Sequence, residues 1–316
     1  MVSIVSFKSI GLVGGVPRSR RRSARLLCAV LLLASWAPAG HGARAGPLVI
    51  EDDDHHRLEL AGPAQRIVSL APGATAMLFA AGAGAQVVGT SEYSDEPAAA
   101  SRVPRIGDSQ AVDLERVLAL RPDVVVVWSG GTAPALIERL ERQGLRVYRH
   151  RLSRLAEIAP SLERLGLLAG TAAQAQRAAA SATARLEALH ARYPSDPART
   201  RSILLQVWDR PLYTVGGGEL LSDVVATCGY RNLYADLSDP GPAVAVESVL
   251  ARNPDVILAL AGDPASAAAW AQRWQAFPVL AAVRAAHVLA WSDPRLSRLG
   301  PAMLDATEAL CAALPH

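Results

Sequence analysis

Short apolar runs of strand length alternate with amphipathic helical stretches along most of this 316-residue chain. Arg66-Ile-Val-Ser-Leu70, Gln86-Val-Val-Gly89, residues 124–128 and residues 145–148 read as strands. Between them, residues 71–81, the stretch capped by Asp113 and residues 134–143 read as helices. The scheme repeats further on, with strands over 202–208, 255–260 and 287–291 and helices over 219–227, 246–251, 265–275 and 302–314. Residues 48–60 suggest two short strands around the turn Asp52-Asp53-Asp54-His55-His56. Residues 154–168 form a helix bent or interrupted at Pro160. Strands alternating with helices predict the α/β class with doubly wound parallel sheets.

Two features organise these elements. Residues 171–193 are almost all strong helix formers, preceded by Gly170 and followed by Pro194. Alanine dominates there, so no broad apolar stripe marks it as a core helix. On either side stands similar text: Glu115-Arg-Val-Leu-Ala-Leu-Arg-Pro-Asp-Val124 and Glu247-Ser-Val-Leu-Ala-Arg-Asn-Pro-Asp-Val256, 132 residues apart. That period is far longer than a solenoid repeat. The expected architecture is two Rossmann-like lobes with parallel sheets, joined by one long rigid helix. The boundaries that follow are a leader at 1–45, an N-terminal lobe at 46–152, a helical linker at 153–199 and a C-terminal lobe at 200–316.

Charge changes the picture at the N-terminus. Residues 1–45 contain seven basic and no acidic residues, so the remainder holds 25 basic against 29 acidic, a net charge of −4. Arg18 to Arg25, an apolar stretch over 26–34 and Ala43-Arg44-Ala45 have the layout of a cleavable secretory signal peptide. The expectation is a soluble, exported, periplasmic monomer that does not span the membrane. The acidic mature chain gives no reason to invoke nucleic acid. In an oxidising compartment Cys228 and Cys311 form an even pair and are expected to bridge, with two separate buried thiols as the alternative.

The search for catalysis finds little. No dinucleotide, Walker or nucleophile-elbow motif follows a strand. No two histidines outside the 55–56 turn have metal spacing, and that turn reads as solvated, with a metal site as the alternative. His150 follows a strand and is either a ligand or an ordinary surface or capping residue. Val215-Gly-Gly-Gly-Glu219 opens a helix and could hold an anion on free N–H groups or admit a flat ligand. The scarce aromatics Tyr93, Trp128, Trp208 and Tyr213 gather at the carboxyl ends of the strands with Trp291-Ser-Asp-Pro-Arg295, where open α/β sheets bind ligands. This favours a binding protein over an enzyme.

The motifs Arg66-Ile-Val-Ser-Leu-Ala-Pro72, Tyr93-Ser-Asp95, Asp113-Leu-Glu115, Trp128-Ser-Gly-Gly131, Pro211-Leu-Tyr-Thr-Val-Gly-Gly217, Cys228-Gly229, Asn232 and Gly300-Pro301 occur in this order. Over roughly residues 64–315 the chain resembles the periplasmic cobalamin-binding proteins of ABC importers, in the helical-backbone class that also carries haem, siderophores and metals. The resemblance implies a corrinoid, carried as a transported ligand with no cofactor, between two lobes joined by the helix at 171–193. It implies that Tyr93, Trp128, Trp208 and Tyr213 pack the corrin ring, with a core or rim aromatic as the alternative for each. Asp293, with Arg295 or Arg298, falls where the family sets polar groups against the ligand's amides. Glu115 and Glu247 fall where the family docks one glutamate per lobe on arginines of a two-fold ABC importer permease. The alternative is a first-turn carboxylate favoured by the helix dipole. The family's disulfide maps onto Cys228 and Cys311.

The chain departs from the family in three places: Ser109 and Gly241 stand where tryptophans are expected, and Ala302 replaces an arginine. With fewer ring contacts, the readings are cobalamin, a different corrinoid, haem with Tyr93 as iron ligand, or a ferric siderophore. An exported metal-dependent enzyme is the alternative from another class.

Overall fold

The computed structural model describes residues 46–107, 111–194 and 200–315. It opens with an antiparallel hairpin, β1 (Leu48–Glu51) and β2 (Arg57–Leu60). Then come β3 (Ile67–Ser69), α1 (Pro72–Ala80), β4 (Val87–Thr90), α2 (Leu114–Ala119), β5 (Val124–Trp128), α3 (Pro134–Arg142) and β6 (Val147–His150). The helices α4 (Ile158–Ala169) and α5 (Ala172–Arg192) lead to β7 (Arg201–Gln206), α6 (Leu220–Thr227), β8 (Tyr230–Asn232), α7 (Val246–Arg252) and β9 (Val256–Leu260). The chain closes with α8 (Pro264–Arg273), α9 (Ala281–Arg284), β10 (Val288–Trp291) and α10 (Ala302–Ala313).

The strands form two all-parallel sheets, in the orders β4-β3-β5-β6 and β8-β7-β9-β10. Each lobe's first strand is central, its second lies to one side and its third and fourth to the other, so the two lobes share one topology. Central β5 and β9 are buried apolar runs (Val124 to Val127; Val256 to Ala259), as a parallel strand covered on both faces requires. The α/β class with two parallel-sheet lobes is therefore the observed one. β8 and α9 are additional to the expected elements; β8 has only three residues, two of them polar, and carries no apolar run.

The internal sequence repeat has a structural cause. After α2 and α7 the backbone turns left-handed at equivalent residues, Arg121 (φ 46°) and Asn253 (φ 44°). A proline and an aspartate follow in both lobes. Asp123 Oδ2 accepts the N–H groups of Gln65 (2.8 Å) and Arg66 (2.9 Å), and its own N–H donates to Arg66 O. Asp255 Oδ2 accepts the N–H and hydroxyl of Ser202, both at 2.8 Å, and its N–H donates to Ser202 O. Each Pro-Asp thus ties the start of one central strand to the start of its neighbour.

The α5 helix has 21 residues, about 31 Å at the α-helical rise. Its first end is tied to the N-terminal lobe, where Thr171 Oγ1 donates to Ala81 O at 2.7 Å. Its last turns reach α10 of the other lobe, through Arg185–Asp305 and Arg192–Glu308 (3.3 Å). Contrary to the expectation from its alanines, it is a core helix. Ala175, Ala179, Ala182, Leu186 and Leu189 form a narrow buried stripe. Small side chains bury by close approach rather than bulk: a Cβ on Gly166 of α4 would lie 2.2 Å from Ala175 Cβ. One buried cluster runs continuously from Ile50 through α1, α4 and α5 to Leu314, joining the lobes. Pro160 does not break α4. It sits in the first turn, where an N–H has no helical partner to lose, and the irregularity precedes it as a 3-10 turn at Leu155–Glu157.

Cys228 and Cys311 are bonded, linking the end of α6 to α10. The leader, with its seven basic residues, and Ser109 lie outside the described residues.

In the 52–56 turn His55 and His56 are exposed as expected, but the first two aspartates are not. Asp52 and Asp53 are buried. Asp53 accepts Tyr148 Oη (2.9 Å) and Arg164 Nε (2.8 Å) on Oδ1, and His150 Nδ1 (2.7 Å), Ser161 Oγ (3.0 Å) and Arg151 N (3.1 Å) on Oδ2. Asp52 accepts the N–H groups of Asp54, His56 and Arg149. Protein donors take these oxygens, so Asp52 and Asp53 do not present free carboxylates to a metal. Burial pushes the Asp53 carboxyl up, but the hydrogen bonds from His150 and the Arg151 N–H and the charge of Arg164 outweigh it and bring it down to about 2. A depressed carboxyl contributes stability that is complete above its unfolded value near 4 and lost as pH falls through the folded value. Denaturant unfolding between pH 4 and pH 2 is therefore expected to lose about 2 kcal/mol at this site. An Asp53→Asn variant should show a correspondingly shallower acid slope; an identical slope would contradict this.

Candidate functional site

Both sheets direct the carboxyl ends of their strands at the space between the lobes, which holds a cavity of about 360 Å³. The N-terminal lobe supplies the start of α1, Tyr93, Trp128 and His150; the C-terminal lobe supplies Val215, the start of α6 and the segment 296–303 with Arg298. The walls are mainly apolar. At the base the lobes touch: a Cβ on Gly73 would meet Leu299 O at 2.6 Å, so the α1 start accepts only glycine at this approach.

Trp128 is the last residue of β5 and is 38% exposed. Its indole folds back over the loop that follows. A Cβ on Gly131 would lie 2.1 Å from the ring, and one on Gly130 2.8 Å from Nε1. The Gly-Gly pair thus sets the ring's position. Gly131→Ala is expected to push the indole off the loop, seen as a changed Trp128 position in a crystal structure and a weaker ligand affinity, with the unfolding midpoint little altered. An unmoved ring would contradict this role.

Tyr93 lies three residues beyond β4 with φ 63°, a left-handed backbone unusual for tyrosine, and is 76% exposed. It is held out of the lobe rather than packed into it.

Arg298 crosses between the lobes. Its Nη1 lies 3.1 Å from Asp95 Oδ1 and 3.0 Å from Glu96 Oε1, on the loop just after Tyr93. Asp293 and Arg295 pair instead with each other, at 2.6 Å between Oδ2 and Nη2, and Asp293 also accepts the Arg295 N–H. The Arg295 hydrogen bond holds the Asp293 carboxyl below its usual range, against the effect of burial. Neither residue lines the cavity described above.

Trp208 and Tyr213 also stand outside its lining. They face each other across a short bridge beyond β7, and Tyr213 bridges on to Ala243. Trp208 is 57% exposed, with its ring edge-on to Trp270 at 6.1 Å. The cavity therefore brings together Tyr93, Trp128 and Arg298 of the seven candidate ligand residues. Glu115 and Glu247 are exposed in the first turns of α2 and α7 and carry no hydrogen bond or ion pair among the described residues.

The first two of the three glycines are packed against neighbouring backbone. Gly216 N–H donates to Pro240 O and Gly217 N–H to Leu237 O, so neither is free for an anion. Their close approach is to the backbone of residues 235–239, whereas Gly218 faces open space. His150, judged an ordinary lone histidine or a ligand, is fully buried yet lines the cavity. Trp270, one tryptophan among the alanines of α8, is the ring that Trp208 packs against.

Among the described residues, no helix is long and apolar enough to cross a membrane. The family described as periplasmic binding protein matches over residues 67–293. The vitamin B12-binding protein of Vibrio cholerae is 36% identical over 253 residues, covering 80% of this chain and 90% of that protein. Its counterpart in Yersinia pestis is 32% identical over 249 residues, covering 78% and 85%. The crystal structure of periplasmic vitamin B12-binding protein BtuF of Vibrio cholerae superposes with a TM-score of 0.71 at 35% identity, over 79% of this chain and 96% of that one. A periplasmic heme-binding protein from Pseudomonas aeruginosa superposes with a TM-score of 0.64 at 26% identity, over 79% and 92%.

Proposed function

Since the chain belongs to the periplasmic binding protein family, we propose that it captures cobalamin or a related corrinoid between its lobes and delivers it to an ABC importer. The observation that carries this reading is the pair Tyr93 and Trp128. Two large aromatic side chains remain exposed on the wall of an apolar cleft, each fixed there by its own backbone. Such faces suit a large, flat, partly apolar ligand by area and stacking. Similarity to vitamin B12-binding proteins over nine-tenths of their length supports a corrinoid as that ligand.

Binding proceeds without chemistry in this reading. The leader directs export and is cleaved, and the mature protein works in the periplasm as a monomer. A macrocycle needs more room than the cleft offers as it stands, so Arg298 leaves Asp95 and Glu96 as the ligand enters and becomes available to the ligand's polar rim. Trp208, Tyr213, Asp293 and Arg295 extend the site beyond the enclosed cavity on the C-terminal lobe. Glu115 and Glu247 present the loaded protein to the permease.

Trp128→Ala tests the site. Loss of a stacked aromatic of this exposure is expected to weaken cyanocobalamin binding ~10- to 100-fold, measured by absorbance titration. Unaltered affinity would remove Trp128 from the site. Haem is the second reading, favoured by the exposed Tyr93 phenol, a competent iron ligand, and by the likeness to a heme-binding protein.

A further inference from the structure

Asp53 and His150 form a hydrogen-bonded pair in the wall of the cleft. His150 ends β6 directly beside Trp128 in register, so the two side chains share a face of the sheet. Its ring is completely buried and lines the inter-lobe cavity. Nδ1 is tied at 2.7 Å to Asp53 Oδ2, with Ser161 Oγ also near. Nε2, on the other edge of the ring, is buried with no hydrogen-bond partner among the described residues. Ser129 Oγ, whose backbone N–H donates to His150 O, is likewise buried and unpartnered.

The charges fix the tautomer. Asp53 is an ionised acceptor, so the hydrogen of the 2.7 Å bond sits on Nδ1. Arg164 already balances that carboxylate at 2.7 Å. A hydrogen on Nε2 as well would bury a second cation without a second anion. Nε2 therefore carries a lone pair, oriented by the carboxylate behind the ring, in a low-dielectric wall. An unsatisfied buried acceptor is costly until a donor reaches it.

We infer that His150 Nε2 is a specificity-determining acceptor of the cleft, receiving an N–H of a primary amide on the bound corrinoid's rim. The inference rests on the corrinoid reading. It predicts discrimination in favour of amidated rims, because a carboxylate in the same place has no hydrogen to donate.

The test is ¹⁵N NMR of the histidine ring in the full mature protein, titrated with cyanocobalamin. The His150 Nε2 resonance is expected at the unprotonated position without ligand and shifted upfield at saturation. Saturation with an unmoved resonance overturns the inference and leaves the corrinoid reading standing; absence of cyanocobalamin binding overturns both. In parallel, His150→Phe is expected to bind cyanocobalamin ~10-fold more weakly, and His150→Gln, whose Oε1 restores an acceptor, to recover part of that loss. Wild-type affinity in both variants overturns the role. Aquacobinamide, with an exchangeable axial position, separates a cobalt bond from an amide bond. A visible-band shift on binding that is lost in His150→Phe would overturn the amide assignment.

Discussion

Reducing the Cys228–Cys311 bond, or replacing both cysteines with serine, is expected to lower the free energy of unfolding by about 4–5 kcal/mol. The bond closes 83 residues, and the chain-entropy relation for a loop of that size gives this magnitude. Its placement sharpens the expectation. Cys228 ends α6, whose first turn forms part of the cleft wall, and Cys311 lies in α10, which carries the ion pairs to the end of α5. Both sulfurs belong to the cluster that joins the lobes. Denaturant unfolding of the oxidised and reduced wild-type protein measures the effect without altering packing. A difference below about 1 kcal/mol would show that the reduced unfolded chain is already constrained.

Glu115→Ala/Glu247→Ala is expected to cut transport at least about tenfold at limiting binding-protein concentration, with ligand affinity unchanged. The two residues occupy equivalent first-turn positions on lobes of one topology, and both are exposed and unpaired among the described residues. A two-fold permease presenting arginines would meet them as a matched pair. Interfacial charge pairs that become desolvated couple by about 1.5 kcal/mol or more, which converts to tenfold or more in affinity. The measurement is uptake of labelled cobalamin by proteoliposomes carrying the cognate importer, alongside the dissociation constant of the free binding protein. Unchanged uptake would reduce both carboxylates to helix-dipole partners. The single variants should each show an intermediate loss.

Much of the fold was legible because its determinants are local. The valine run of β5 and the proline and glycine punctuation around each helix act within a few residues. The repeat was visible because the same Pro-Asp tie is made twice, at Asp123 and Asp255, by the same backbone geometry. The depth of α5 was not visible: its burial depends on Gly166 across the helix pair, a contact no single-segment periodicity records. Asp53 was misread for a similar reason. Its partners Tyr148, His150, Ser161 and Arg164 lie roughly a hundred residues away and meet it only in three dimensions.

The site divides along the same line. Tyr93 and Trp128 could be found because strand ends are where parallel sheets bind ligands, and aromatics there are conspicuous. Arg298 was identified by position, but its bridge to Asp95 and Glu96 depends on how two lobes approach. The glycines at 216–218 looked like a nest because a sequence does not reveal the carbonyls of residues 240 and 237 that occupy the N–H groups of Gly216 and Gly217. His150 looks like any isolated histidine until the Asp53 carboxylate behind it and the cavity in front are both seen.

Absorbance-monitored titration of the purified mature protein with cyanocobalamin, and separately with hemin, identifies the cargo. Saturable one-to-one binding of cyanocobalamin that weakens in Trp128→Ala is the expected result. Failure to bind cyanocobalamin, together with hemin binding that produces a new Soret band lost in Tyr93→Ala, would contradict it and make haem the cargo of the same fold.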